Sequence, residues 1–293
     1  MSQWGDPPET AFQILDGDTR TCHWPPLLRM LYERSRPEAA PLQSVHLPVS
    51  GPLTRFGAGR PARLVVGAAP ERPRPSFPDY DVLAAEVIRD GLREQRVGLD
   101  LVRADDPVPV PPPVDHDLVV IGGPGSHRLG EVLNEALARR AWGIRGFYFA
   151  PAGEAPNRLG NLVRCWRLRA HDLPEEPGIP DPDDPYVRLP DGRKEDVGIL
   201  YMGANLLARQ YRLVWMAGLG SVGTVGAALA LQDGRVVEAI TQGTDEETYA
   251  CALVRYRFAD EQRPLDGTLA CVALTRGVLR SPSEDPAAAA PRP

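Results

Sequence analysis

One lysine, Lys194, stands among 33 basic residues, and the rest are arginine. Its scarcity excludes chemistry. A Walker-type phosphate loop needs a lysine beside its glycines, and neither glycine-rich turn of this chain has one. The Tyr-x-x-x-Lys pair of short-chain dehydrogenases is also missing. A Schiff-base mechanism would fall to Lys194 itself, in an expected polar loop where little would depress its pKa. Cysteine is sparse as well. Cys22, Cys165, Cys251 and Cys271 form no C-x-x-C, which removes zinc-ribbon and dithiol redox readings. Cys251 and Cys271 fall in two strand-like runs and could face one another across a hairpin, most simply as buried, reduced thiols.

Long apolar runs are absent, and the first residues show no cationic region followed by an apolar core. A soluble, cytoplasmic protein without a membrane partner is the expectation. The net charge is −6 and no basic run is clustered, so no nucleic-acid partner is expected. His23, His46, His116, His127 and His171 show no metal-ligand spacing, and no metal site is expected. In Asp115-His116-Asp117 adjacent side chains of an extended segment would point opposite ways. No G-x-S-x-G nucleophile elbow occurs.

What is abundant is proline, 32 residues, and glycine, 28. They divide the chain. Residues 1–59 read as an irregular N-terminal arm with one short helix near 26–34. Residues 60–280 read as one α/β domain, within which 171–195, rich in Asp, Pro and Glu, is an exposed insertion. Residues 281–293 are too poor in core-forming residues to fold, a disordered tail. Inside the domain, strands are predicted at 64–67, 97–102, 117–121, 144–150, 161–170, 196–203 and 212–217. Helices are predicted at 80–95 and 129–141 and after residue 221. Residues 235–240 fit a strand or a helix end. Two β-rich runs, 249–258 and 268–275, flank a Pro264 and Asp266-Gly267 turn and predict an antiparallel hairpin at the sheet edge.

Two turns stand out. Strand 117–121 ends in Gly122-Gly123-Pro124-Gly125-Ser126-His127. Strand 212–217 ends in Gly218, Gly220 and Gly223, spaced G-x-G-x-x-G, with Ser221 and Thr224 at a helix start. Where such turns share one rim of a parallel sheet, backbone N–H groups and the helix dipole favour an anion. The candidate ligand-binding residues are therefore Gly122, Gly123, Gly125, Ser126, His127, Gly218, Gly220, Ser221, Gly223 and Thr224. Glu238, 18 residues past Gly220, is the candidate ribose acid of an NAD or NADP site, although too little chain follows for a second nucleotide-binding half. Arg167 and Arg169 share a strand face, with Arg164 nearby, and could meet an acidic ligand or the Asp/Glu-rich stretch that follows, the second being the expectation.

The phrase Asp-Leu-Val-Val-Ile-Gly-Gly-Pro-Gly-Ser, followed by Leu-Val-Trp-Met-Ala-Gly-Leu-Gly-Ser-Val-Gly-Thr and an Ala-rich helix, resembles a Rossmann-like unit of archaeal surface-layer proteins and of bacterial cytoplasmic relatives. The resemblance spans at most residues 63–275. It departs from that unit in the absent signal peptide and in His127, where an asparagine or small polar residue is expected. It implies a fold and no catalytic residue. The expected fold is α/β, a mainly parallel Rossmann-like sheet with helices on both faces and an antiparallel C-terminal hairpin. The expected function is binding of a small anionic, nucleotide-like or phosphorylated ligand, or of a protein partner, in a sensor or accessory role. Two enzymes compete with it. One cleaves a nucleotide glycosidic bond with Glu131 or Asp245 as carboxylate and Ser126 or Thr224 positioning phosphate; the other is an NAD(P)-dependent oxidoreductase.

Overall fold

The computed structural model describes residues 12–17, 62–68, 80–94, 98–103, 117–171, 184–241 and 248–280. In chain order the strands are β1 (Phe12–Gly17), β2 (Ala62–Ala68), β3 (Gly98–Arg103), β4 (Asp117–Ile121), β5 (Phe147–Pro156), β6 (Leu162–Ala170), β7 (Val187–Arg188), β8 (Lys194–Ala204), β9 (Arg212–Gly218), β10 (Thr248–Phe258) and β11 (Thr268–Val278). The α-helices are α1 (Tyr80–Glu94), α2 (Arg128–Ala138), α3 (Ser221–Ala230) and α4 (Gly234–Thr241). The ambiguous run at 235–240 is thus helix. The helix predicted at 26–34, the acidic stretch 172–183, Asp245 and the tail 281–293 lie outside the described residues.

The main sheet runs β1-β11-β10-β8-β9-β4-β2-β3, with β7 added beside β8. It is mostly antiparallel, which corrects the expected parallel Rossmann-like sheet. Parallel pairing is confined to β3, β2, β4 and β9. From β9 outward every pair is antiparallel: β8 with β9, β10 with β8, β11 with β10, β1 with β11. The reason lies in the connection from Ala204 to Arg212. It contains no helix, and a short link between neighbouring strands returns the chain antiparallel, whereas a parallel neighbour needs a crossover of a dozen residues or more. The C-terminal hairpin β10–β11 forms, but not at an edge, because β8 flanks one side and β1 the other. The runs near 144–150 and 161–170 leave the main sheet and pair with each other as a separate hairpin, β5–β6. Cys251 pairs with Thr275 and Cys271 with Arg255, so the two cysteines do not face each other. Lys194 opens β8 rather than lying in a loop, and its ammonium pairs with Glu261.

Strands β4 and β9 are buried along their apolar lengths, as central strands covered on both faces must be. Even-numbered β8 and β10 positions such as Leu200, Ala252 and Val254 pack with α1, α3 and α4 on one face. Odd-numbered positions such as Ile199, Tyr201 and Leu253 pack with Leu129, Leu133 and Leu137 of α2 and with Phe147 and Phe149 of β5 on the other. Helix α3, Ser-Val-Gly-Thr-Val-Gly-Ala-Ala-Leu-Ala, is almost wholly buried because its small residues let its backbone lie against β8. A Cβ on Gly198 would collide with the carbonyl oxygen of Gly223, so this contact is backbone against backbone. Gly198→Ala is therefore expected to lower stability by about 2 kcal/mol or more, measured as a lower urea midpoint with unchanged slope.

Candidate functional site

Ile121 of β4 lies opposite Met216 of β9, so the glycine turns that follow these parallel strands open at the same rim. They are neighbours. A Cβ on Gly123 would stand 3.3 Å from the carbonyl oxygen of Gly218. The Gly122 N–H donates to Met216 O at 2.9 Å, and the Trp215 indole N–H donates to Gly122 O at 2.9 Å, locking the two together.

In the first turn Gly122 adopts φ +115°, a conformation that favours glycine. A side chain there would also meet Asp81 and the His127 ring. His127 is buried and caps α2. Its Nδ1 accepts the N–H of Gly130 at 3.1 Å, and Nε2 lies 3.0 Å from Ile121 O. Those partners fix a neutral ring with its proton on Nε2, donating to Ile121. Burial lowers the His127 pKa, against the Ile121 carbonyl, which raises it. The ring is a structural cap, with no lone pair left to act as a base. Gly125 is exposed and Ser126 half-buried at the mouth of this turn. The Trp166 indole of β6 stands 3.7 Å from where a Gly125 Cβ would be. Glu131, one turn into α2, is held by two arginines: Arg128 at one carboxylate oxygen and Arg164 of β6 at the other, 3.1 Å away. Arg164 also lies over the Trp166 ring, 5.7 Å from its centroid.

The second turn has a different electrostatic character. Asp196 of β8 is 1% exposed, and its carboxylate lies beneath the turn. The Gly220 N–H donates to Oδ1 at 3.0 Å, the Gly223 N–H to Oδ2 at 2.6 Å, and the Val197 N–H to Oδ1 at 2.8 Å. These amides, which a phosphate would need, are given to the chain's own carboxylate. Burial pushes the Asp196 carboxyl up to about 7, against the pull of its N–H donors. Tyr186 packs at Gly220, and burial, with the Asp196 carboxylate beside it, raises its pKa. Lys194 lies over the Tyr186 ring and pairs with Glu261. Ser221 is exposed and Thr224 is buried in the first turn of α3. Asp196 was not singled out from the sequence. The signal available was an acidic residue opening an otherwise apolar, doubly covered strand, where a buried charge needs partners.

Glu238 is exposed on α4, a helix, so it does not stand at a strand end as the ribose acid of a dinucleotide site does. Arg169 is buried, and its strand pairs with Tyr148 at that position. Asp117 accepts the Arg212 N–H at 2.9 Å and ties the starts of β4 and β9. Among the described residues no group of three or more His, Cys, Asp and Glu is placed to hold a metal. No helix among them is long and apolar enough to cross a membrane. Comparison with protein-family models, curated proteins and solved structures returns no match.

The cap sets a pH dependence. The neutral His127 is favoured in the folded chain and has an ordinary pKa near 6.5 in the unfolded one. Stability from this group is complete above about pH 6.5 and falls as pH drops toward the lowered folded value. Asp196, raised in the folded chain, works with opposite sign, losing stability as pH rises from about 4 to about 7. His127→Asn, which keeps a capping acceptor, should remove the His127 contribution. The wild-type-minus-variant stability difference from urea melts should then shrink between pH 7.5 and 5.5, and a flat difference would contradict the neutral cap.

Proposed function

We propose that this chain is a non-catalytic binding module of a sensor or accessory kind, whose first glycine turn receives a small phosphorylated, nucleotide-like ligand. One observation carries the reading. Arg128 and Arg164, both exposed, converge on the carboxylate of Glu131 at the N-terminal turn of α2, which sets two guanidinium groups near Gly125 and Ser126, with Glu154 opposite Arg164 in the hairpin. Guanidinium donors and the helix dipole together favour an anion there. Trp166 turns its indole edge to Gly125 with Arg164 over the ring, an aromatic and guanidinium pair against which a base or sugar can pack. The Ser126 hydroxyl supplies a further donor.

Catalysis has less to support it. Both oxygens of Glu131 are engaged by arginines, and His127 spends both ring nitrogens on the backbone. A dinucleotide at the second turn would compete with Asp196 for its amides.

Adenosine monophosphate and inorganic phosphate, titrated calorimetrically and by thermal shift, test the proposal. A ligand that binds only the folded state raises the melting temperature by mass action. Arg164→Ala should weaken both ligands by about tenfold, the loss of one charge-assisted hydrogen bond. Trp166→Ala should weaken adenosine monophosphate by a similar factor, about one stacking contact, and leave phosphate unchanged. Ser221→Ala, at the second turn, should alter neither. Binding that ignores both Arg164 and Trp166, or no binding at all, refutes the assignment.

A further inference from the structure

The rim presents two turns of like form and unlike chemistry. The first is bordered by guanidinium groups, Arg128 and Arg164, around one carboxylate. The second is underlain by Asp196 and neighboured by Glu261 and Asp184, whose charges Lys194 and Arg188 meet. A G-x-G-x-x-G turn opening a helix ordinarily gives its amides to a pyrophosphate. In this chain the amides of Gly220 and Gly223 point down into the sheet, onto the Asp196 carboxylate, while Tyr186 and Pro185 crowd Gly220 from the side.

We infer that Asp196 determines ligand specificity: its carboxylate occupies the second turn as an internal substitute for a phosphate, so the rim accepts a ligand with a single phosphoryl group and discriminates against diphosphates and dinucleotides. The inference rests on the reading of the first turn as the ligand site. Its physical basis is proximity. Gly123 and Gly218 are in near contact, so a second phosphoryl group reaching across from the first turn arrives over the second. There it finds amides already donated and, above about pH 7 where Asp196 is ionised, a negative charge buried behind them and poorly screened by solvent. A monophosphate meets only the arginine side. The buried carboxylate thus works as a length gauge on the ligand's anionic end. Asp196 touches no ligand itself and acts through the turn it holds.

Calorimetric titration of wild-type protein with adenosine monophosphate, adenosine diphosphate and inorganic pyrophosphate gives the first reading. The diphosphate should bind no more tightly than the monophosphate; a tenfold advantage for the diphosphate overturns the inference. The second reading comes from Asp196→Ser, which removes the charge and frees amides of the second turn. Pyrophosphate and the diphosphate should tighten by about tenfold or more, the scale of a charge-assisted hydrogen bond, while the monophosphate shifts by less than about threefold. A variant that moves mono- and diphosphate together, or neither, assigns Asp196 a purely structural part and overturns the inference. Should the serine variant fail to fold by near-ultraviolet circular dichroism, Asp196→Asn keeps the shape and one acceptor oxygen. An unchanged diphosphate-to-monophosphate ratio in that variant is then equally fatal. Pyrophosphate binding to the serine variant needs nothing from the first turn. If wild-type protein binds none of the three ligands and the variant still gains pyrophosphate, the first-turn reading falls while the assignment of the second turn to Asp196 stands.

Discussion

The Asp196 carboxylate, buried beneath the N-terminus of α3, is the constraint on which the geometry of the rim depends. Removing an ionised carboxyl from water is costly unless hydrogen bonds replace its hydration. Here the replacements come from backbone N–H groups of Gly220, Gly223 and Val197. The same bonds satisfy donors that a helix start otherwise leaves unpaired. One group therefore answers two needs, and it fixes where α3 begins on β8. The close backbone contact between Gly198 and Gly223 follows from that placement, since the carboxylate draws the turn down onto the strand.

The first turn solves the same problem with a neutral group. His127 takes the Gly130 N–H and returns a proton to Ile121, binding the start of α2 to the end of β4. At the far end of α2, His171 accepts the Gly146 N–H at 2.9 Å, and its other nitrogen lies 3.2 Å from Ala138 O. Helix α2 is thus anchored at both ends by imidazoles whose nitrogens face the backbone. Between them Asn134 exchanges two hydrogen bonds with Phe149 of β5. The hairpin that carries Arg164 and Trp166 is in this way referenced to the helix that carries Arg128 and Glu131. With a neutral cap, the dipole of α2 is met only by Glu131, a partly exposed carboxylate already paired with two arginines, whereas a buried carboxylate meets that of α3 directly. The two turns therefore differ in charge although their glycine patterns look alike.

Much of this was legible in the sequence and some was not. The apolar runs 117–121 and 212–217, each followed by glycines and a small hydroxyl residue, read directly as strand, turn and helix start, because a doubly buried strand leaves a continuous apolar signature. Strand direction left no such signature. An antiparallel strand covered on both faces has the same composition as a parallel one, and only the short link from Ala204 to Arg212 betrayed the reversal. Segments 144–150 and 161–170 were legible as strands but not as a separate hairpin, since pairing partners are set by packing on α2. At the site, the glycines pointed to amide donors correctly as chemistry. What takes those amides was hidden, because Asp196 lies more than 20 residues upstream and meets the turn only through the sheet.

The opening of β8 shows how the rim is held together. Successive side chains of a strand point to opposite faces. Asp196 accordingly reaches α3 on one face, while Glu195 turns to the other and binds Arg255 and, at 3.1 Å, Arg257 of β10. Glu195 and Arg255 are each 1% exposed at the side chain, so neither charge has water to fall back on. Removing one member of such a group typically costs about 3–5 kcal/mol, because the remaining charge is stranded. Lys194, one residue earlier, ties the same strand end to Glu261 beyond β10. Three consecutive charged residues thus fasten β8 to a helix, a strand and a loop. The antiparallel half of the sheet is thereby registered against the parallel half, and the second turn is held level with the first. A shift of β8 by one residue would exchange the faces of Glu195 and Asp196, leaving the arginines without their carboxylate partner and the glycine amides without theirs. The charge pattern at 194–196 therefore specifies strand register and rim chemistry together.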